Sequence, residues 1–112
     1  MSKEWQPYAR HILDTVARLR RIQTRGDLMQ DEVLYDAALR NLQTLSEATQ
    51  HLPEDLKQQH SGIPWRQISG FRNILVHQYL GEIDPQTVRH VVEQHLTPLE
   101  DAIQFMLTGL GE

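Results

Sequence analysis

Apolar residues recur along this chain at intervals of three and four, the spacing of one helix face, and only Gly81 to Ile83 hints at an extended turn. The first stripe, Ile12, Leu13, Val16, Leu19 and Ile22, predicts a helix from about Tyr8 to Thr24. Gly26 interrupts it, and Asp27 followed by Gln30 offers a capping-box-like start to a second helix. Leu34, Ala38, Leu42, Leu45 and Ala48 carry that helix to about His51, where Pro53 forbids a simple extension. A short connection of this kind predicts that the two helices pack antiparallel. Residues 52–63 turn polar, and Ser61-Gly62-Ile63-Pro64 combines turn residues with a proline suited to the first position of a third helix, Trp65 to Tyr79. Gly81 stops it, and Asp84-Pro85 supplies a cap and an N1 proline for the next, whose buried face is Val88, Val91, Val92 and Leu96. Pro98 has no N–H and crowds the preceding turn, so a kink or break is expected between His95 and Thr97. Leu99, Ile103, Met106 and Leu107 form the last apolar stripe.

These stripes predict an all-α fold, a bundle of four to five helices, with no internal repeat and a single domain over residues 1–112. A chain of 112 residues buries roughly two-thirds of its unfolded surface, so it needs no staples; it has no cysteine, which excludes disulfides and thiolate metal sites. It shows neither the apolar core of a signal peptide nor a run near the ~20 residues of a membrane span, so a cytoplasmic location is expected.

Charge is unevenly spread. The net charge is −4, but residues 1–26 carry six cations against Glu4 and Asp14, leaving −8 on the remainder. Arg18, Arg20 and Arg21 near the end of the first helix complement its macrodipole in the simplest reading, and also offer a local basic face to RNA or an acidic partner. The acidic total argues against broad, sequence-blind nucleic-acid binding.

The third helix holds the candidate chemistry. Trp65, Ile68, Leu75, Val76 and Tyr79 share one stripe, and Arg72 falls in its middle. With Arg72 at zero, Tyr79 lies at about −20°, whereas Asn73 and His77 lie at about 100° and 140°, neighbours one turn apart. Gly70 sits on the His77 side and permits close approach, so the helix has two faces that each want a partner, one of them a candidate contact with a second copy of the chain. A structural reading pairs Arg72 with a carboxylate such as Glu47 and leaves His77 as a hydrogen-bonded histidine. A chemical reading uses the guanidinium fork on a phosphate and the imidazole as a proton carrier. The two suffice for metal-free RNA cleavage by the substrate's own 2′-hydroxyl, with Asn73 in a supporting role.

Arg72-Asn73-Ile-Leu-Val-His77 resembles the Arg-x4–6-His signature of the HEPN ribonuclease superfamily. Around it, Asn41 to Ala48, Ile63-Pro64-Trp65, Gly70-Phe71, Gln78-Tyr79, Ile83-Asp84 and Leu96-Thr97-Pro98-Leu99 resemble the ordered landmarks of the HepT-like branch over nearly the whole chain. Ser46 departs from the glycine of many relatives, a matter of helix packing rather than of the motif. The resemblance implies a homodimer whose motifs line one cleft, and a metal-independent endoribonuclease toxin acting on tRNA or mRNA and leaving 2′,3′-cyclic phosphate ends. It implies catalytic roles for Arg72 and His77, and a MntA-like nucleotidyltransferase antitoxin that AMPylates Tyr79. No cofactor is implied. The alternative is a non-catalytic HEPN module that binds a nucleotide or partners a nucleotidyltransferase.

No metal site is expected. The six histidines, His11, His51, His60, His77, His90 and His95, include no His-Glu-x-x-His and no paired Glu-x-x-His, and His90, Glu93 and His95 do not share a helical face. Trp5 and Trp65 read as core or docking aromatics rather than base-stacking platforms.

Overall fold

The computed structural model describes residues 4–66, 68–69 and 85–111 of the chain. The first stripe becomes helix α1 (Gln6–Arg25), with Ala9, Ile12, Thr15, Val16 and Leu19 buried. Helix α2 (Glu32–Thr49) buries Ala38, Leu39, Leu42, Leu45 and Ala48. The two form the most extensive helix pair among the described residues, and they run antiparallel. Tyr8, near the start of α1, stacks on His51, just beyond the end of α2, with ring centroids 4.0 Å apart and planes 9° from parallel.

The start of α2 differs from the sequence expectation. Asp27 does not cap it. Its carboxylate accepts from the Met29 N–H at 2.9 Å and its carbonyl from the N–H groups of Gln30 and Asp31, which closes a separate turn over 27–31. Asp31 is the N-cap, in extended conformation, accepting from Val33 N–H at 2.9 Å and Leu34 N–H at 3.4 Å. Two aspartates four residues apart offered the same chemistry; burial of Leu28 inside the turn favours the later start.

Past Pro53 the polar stretch contains a short helix, α3 (Glu54–Gln58), which the sequence pattern did not predict. Trp65, Arg66, Ile68 and Ser69 are helical. The rest of the third predicted helix, residue 67 and residues 70–79, lies outside the described residues. The chain continues in α4 (Pro85–Gln94), packed on α2, and α5 (Leu96–Gly111), packed on α1 and α4. The expected break is present: α4 stops at Gln94 and α5 restarts at Leu96, four and two residues before Pro98. The proline cannot donate to the Gln94 carbonyl, and its ring crowds that turn.

One core results, built from Trp5, the α1 and α2 stripes, Leu52, Leu56, Ile63, Ile68, Val88, Val92 and the α5 stripe Leu96, Leu99, Ile103 and Met106. Each large aliphatic side chain buried there contributes about 1.5–3 kcal/mol. The buried hydroxyls return a hydrogen bond to their own helix: Thr15 to the His11 carbonyl, Ser46 to that of Gln43 and Thr49 to that of Ser46. Among the described residues there is no strand, and no helix is long and apolar enough to cross a membrane.

Candidate functional site

Arg72, Asn73, His77 and Tyr79 lie outside the described residues, and with them the expected Arg72–Glu47 pair. The described residues show the frame that leads the chain into this segment and receives it afterwards. The lead-in is a chain of backbone and side-chain hydrogen bonds. The His60 N–H donates to Lys57 O, the Ile63 N–H to His60 O, the Trp65 N–H to Ile63 O at 2.8 Å and the Ile68 N–H to Pro64 O. The half-buried Trp65 indole donates from Nε1 to both the Lys57 carbonyl at 2.9 Å and the His60 carbonyl at 3.0 Å, tying the start of the helical residues onto the end of α3. A tryptophan at this position therefore joins the apolar core and satisfies a turn at once.

Ser69, the last described residue before the motif, meets the end of α2. Its hydroxyl is 3.3 Å from that of Thr49. Lys57 donates from Nζ to the Thr49 carbonyl at 3.3 Å and lies 3.7 Å from Glu54, with its side chain 11% exposed. An ammonium set against a carbonyl of the last turn of α2 also complements the negative end of that helix. Sequence reasoning missed this lock, because Lys57 belongs to a stretch without apolar period and its role depends on a contact eight residues back.

Beside the lead-in is an apolar cleft of about 60 Å³, lined among the described residues by Leu42, Leu45, Ser46, Pro64, Ile68, Val91, His95, Leu96 and Leu99. Ile68, two residues before Gly70, and Val91, six residues into the helix that follows the segment, both border it. Ser46 is buried at this cleft with its hydroxyl turned back onto the Gln43 carbonyl.

Elsewhere the charges sort into paired and unpaired groups. Arg20 of α1 donates from Nη1 to Glu100 at 2.6 Å and from Nη2 to Thr97 at 2.8 Å, clamping α1 to the start of α5. Arg89 donates from Nε to Glu93 at 2.9 Å; that hydrogen bond first, then the charges of Glu93 and Asp27, hold its guanidinium above the ordinary arginine value. The His90 ring of α4 and the His95 ring at the junction between α4 and α5 meet near-perpendicular with centroids 5.5 Å apart. No group of three potential ligands gathers there or elsewhere among the described residues. Trp5 is 7% exposed, a core aromatic.

The family described as Ribonuclease HepT-like matches residues 11–106. The chain is 30% identical over 106 residues to the "Putative RNase" of Caldanaerobacter subterraneus subsp. tengcongensis, covering 91% of this chain and 93% of that protein. It is 31% identical over 74 residues to the "Probable ribonuclease HepT" of Thermococcus cleftensis, 66% of each. Against the "Gamma-glutamylcyclotransferase and putative RNase" of Methanocaldococcus jannaschii it is 27% identical over 115 residues, 100% of this chain but 51% of that protein. No solved structure matches at comparable significance. With a match that spans all the described helices from within α1 to within α5, and a relative of nearly equal length, this chain belongs to the ribonuclease HepT-like family.

Proposed function

We propose that the chain is an endoribonuclease that needs no metal ion, with Arg72 and His77 as its catalytic residues and Asn73 in support. The observation that carries this reading is family membership over residues 11–106, a span that includes the Arg72-Asn73-Ile-Leu-Val-His77 motif. In the proposed reaction neutral His77 accepts the proton of the ribose 2′-hydroxyl, whose oxygen forms a bond to the adjacent phosphorus as the bond to the 5′-oxygen breaks. The products are a 2′,3′-cyclic phosphate and a 5′-hydroxyl, the latter protonated by water or by the imidazolium of a second chain. Arg72 balances the charge that grows on the non-bridging oxygens, a task suited to a guanidinium fork. On a helix its side chain would lie about 140° from His77, so the sharper version places Arg72 of one chain with His77 of the other in a homodimer cleft.

In the same proposal the activity is that of a toxin, acting on tRNA or mRNA in the cytoplasm. A MntA-like nucleotidyltransferase silences it by transferring AMP from ATP to the Tyr79 phenol with loss of pyrophosphate.

The test is RNA cleavage by purified protein in excess chelator, with Arg72→Ala and His77→Ala in parallel. Cyclic-phosphate ends from the wild type and none from either variant are expected; activity kept by both variants would sink the assignment. Intact mass of protein coexpressed with the nucleotidyltransferase reads AMP on Tyr79 directly, and a Tyr79→Phe variant should lose that mass. The net charge of −4 favours one other reading, a non-catalytic module of the same fold. Stable copurification with the nucleotidyltransferase and no cleavage by unmodified protein would select it.

A further inference from the structure

The arginines of α1 divide by structure into two kinds. Arg20 is bonded to Glu100 and Thr97. Arg10, Arg18, Arg21 and Arg25 are exposed and make no side-chain hydrogen bond or ion pair with another described residue. With Arg18 at zero, Arg25, Arg21 and Arg10 lie at about −20°, −60° and −80°, whereas the buried Thr15, Leu19, Ile12, Val16 and Ala9 span about 60° to 180°. The four guanidiniums therefore form one stripe on the face turned away from α2 and α5. At 1.5 Å of rise per residue, Arg10 to Arg25 covers about 22 Å along the axis. Asp14 is the one acidic residue within it, and the helix carries a net +4 in a chain whose remainder carries −8.

We infer that this outer face of α1 is a binding surface for the phosphate backbone of RNA, extending the substrate path beyond the cleavage site; the identity of the polymer rests on the ribonuclease reading. A helix end needs at most one or two cations to complement its dipole, and that effect fades beyond the last turn. Arg10 and Arg18 lie outside that turn, and their charge calls for another use. The chemistry of the face points to phosphate rather than to a protein. Stable protein interfaces centre on buried apolar or aromatic anchors, and the exposed large apolar side chains among the described residues, Tyr8, Val33 and Phe105, are not on this stripe. Tyr8, the nearest, sits at about 80° on the core side of α1, stacked on His51. A row of guanidiniums with no apolar centre suits a ligand that is itself a row of anions, bound without reading its sequence.

The test uses a fluorescent 2′-O-methyl RNA of about 20 nucleotides, which lacks the attacking hydroxyl, so that binding is measured apart from cleavage. Anisotropy titrations across a salt series compare the full chain with the Arg18→Gln/Arg21→Gln/Arg25→Gln variant and with Asp14→Asn. Three lost contacts to a single strand should flatten the log-affinity against log-salt slope by about 2 and weaken binding about a hundredfold at 0.1 M salt. Asp14→Asn should tighten it severalfold, a gain that misfolding does not produce. Binding without cleavage by the wild type would support the surface while removing the ribonuclease reading. An unchanged slope in the triple variant overturns the surface even if RNA is cleaved normally, and so does wild-type protein that binds no RNA. Loss of binding to polyglutamate with RNA affinity intact would hand the stripe to an acidic protein and overturn it equally.

Discussion

Arg20→Gln separates the structural arginine of α1 from its exposed neighbours, and its cost can be worked from the contacts. The substitution removes a 2.6 Å charged hydrogen bond to Glu100 and a 2.8 Å bond to Thr97. An exposed ion pair contributes about 0.2–1 kcal/mol, and a hydrogen bond to a charged group about 1.5–3 kcal/mol. The side chains are 38% and 26% exposed, so water screens part of the interaction and the lower half of that range applies, about 1–2 kcal/mol for the clamp. An unfolding entropy near 2.1 cal/mol/K per residue over 112 residues converts this into a melting temperature lower by about 4–8 °C. The assay is thermal unfolding by circular dichroism of Arg20→Gln, Glu100→Gln and the double variant. A double-mutant cycle should return about 1 kcal/mol of coupling that survives 0.5 M salt, since the pair is partly withdrawn from solvent. Melting within 1 °C of wild type, or coupling abolished by salt, would refute the clamp. In the same assay Arg18→Gln should shift melting by no more than about 2 °C, as expected of a surface position.

Three further outcomes follow from the frame. Trp65→Phe keeps the apolar body but leaves the Lys57 and His60 carbonyls without their shared donor, and should lower stability by about 1–2 kcal/mol in urea titration with helix content retained; an unchanged midpoint would show that the indole hydrogen bonds are not made. Asp31→Ala should cost about 1 kcal/mol and Asp27→Ala less, because Asp31 is the cap of α2; the reverse order in chemical denaturation would restore Asp27 to that role. The His60 and Phe105 rings meet in a T-shaped contact, and the His60 Nε2 is buried without a hydrogen-bond partner, so His60→Phe should raise the melting temperature by a few degrees, and a fall would mean that the nitrogen is in fact satisfied.

The helices and their buried faces were legible because period and punctuation agree. Ile12, Val16 and Leu19, or Leu99, Ile103 and Met106, each select one face, and Pro98 marks the break between α4 and α5. What stayed hidden depends on contacts that pattern does not encode. Asp27 and Asp31 are interchangeable as caps by local rule, and only the buried Leu28 turn separates them. α3 is too short to display a period, and Lys57 joins Thr49 through folding rather than through spacing. Arg20 and Arg21 are adjacent and chemically identical; the position of Glu100, eighty residues from Arg20, makes one of them a clamp. The candidate catalytic set, Arg72, Asn73 and His77 with Tyr79 beyond it, was legible as a motif because its residues lie within one run of eight and need no distant contact to be seen together.

Lysine is nearly absent from this chain, which uses arginine for nine of its eleven cations and places lysine only at positions 3 and 57. The Lys57 amine is shielded, held against the carbonyl of the same Thr49 whose hydroxyl faces Ser69. An amine-reactive reagent therefore reaches this internal lysine most readily when α3 parts from the end of α2. Lys57 labelling, resolved from Lys3 by peptide mapping, thus reports how often the contact between α3 and the end of α2 opens.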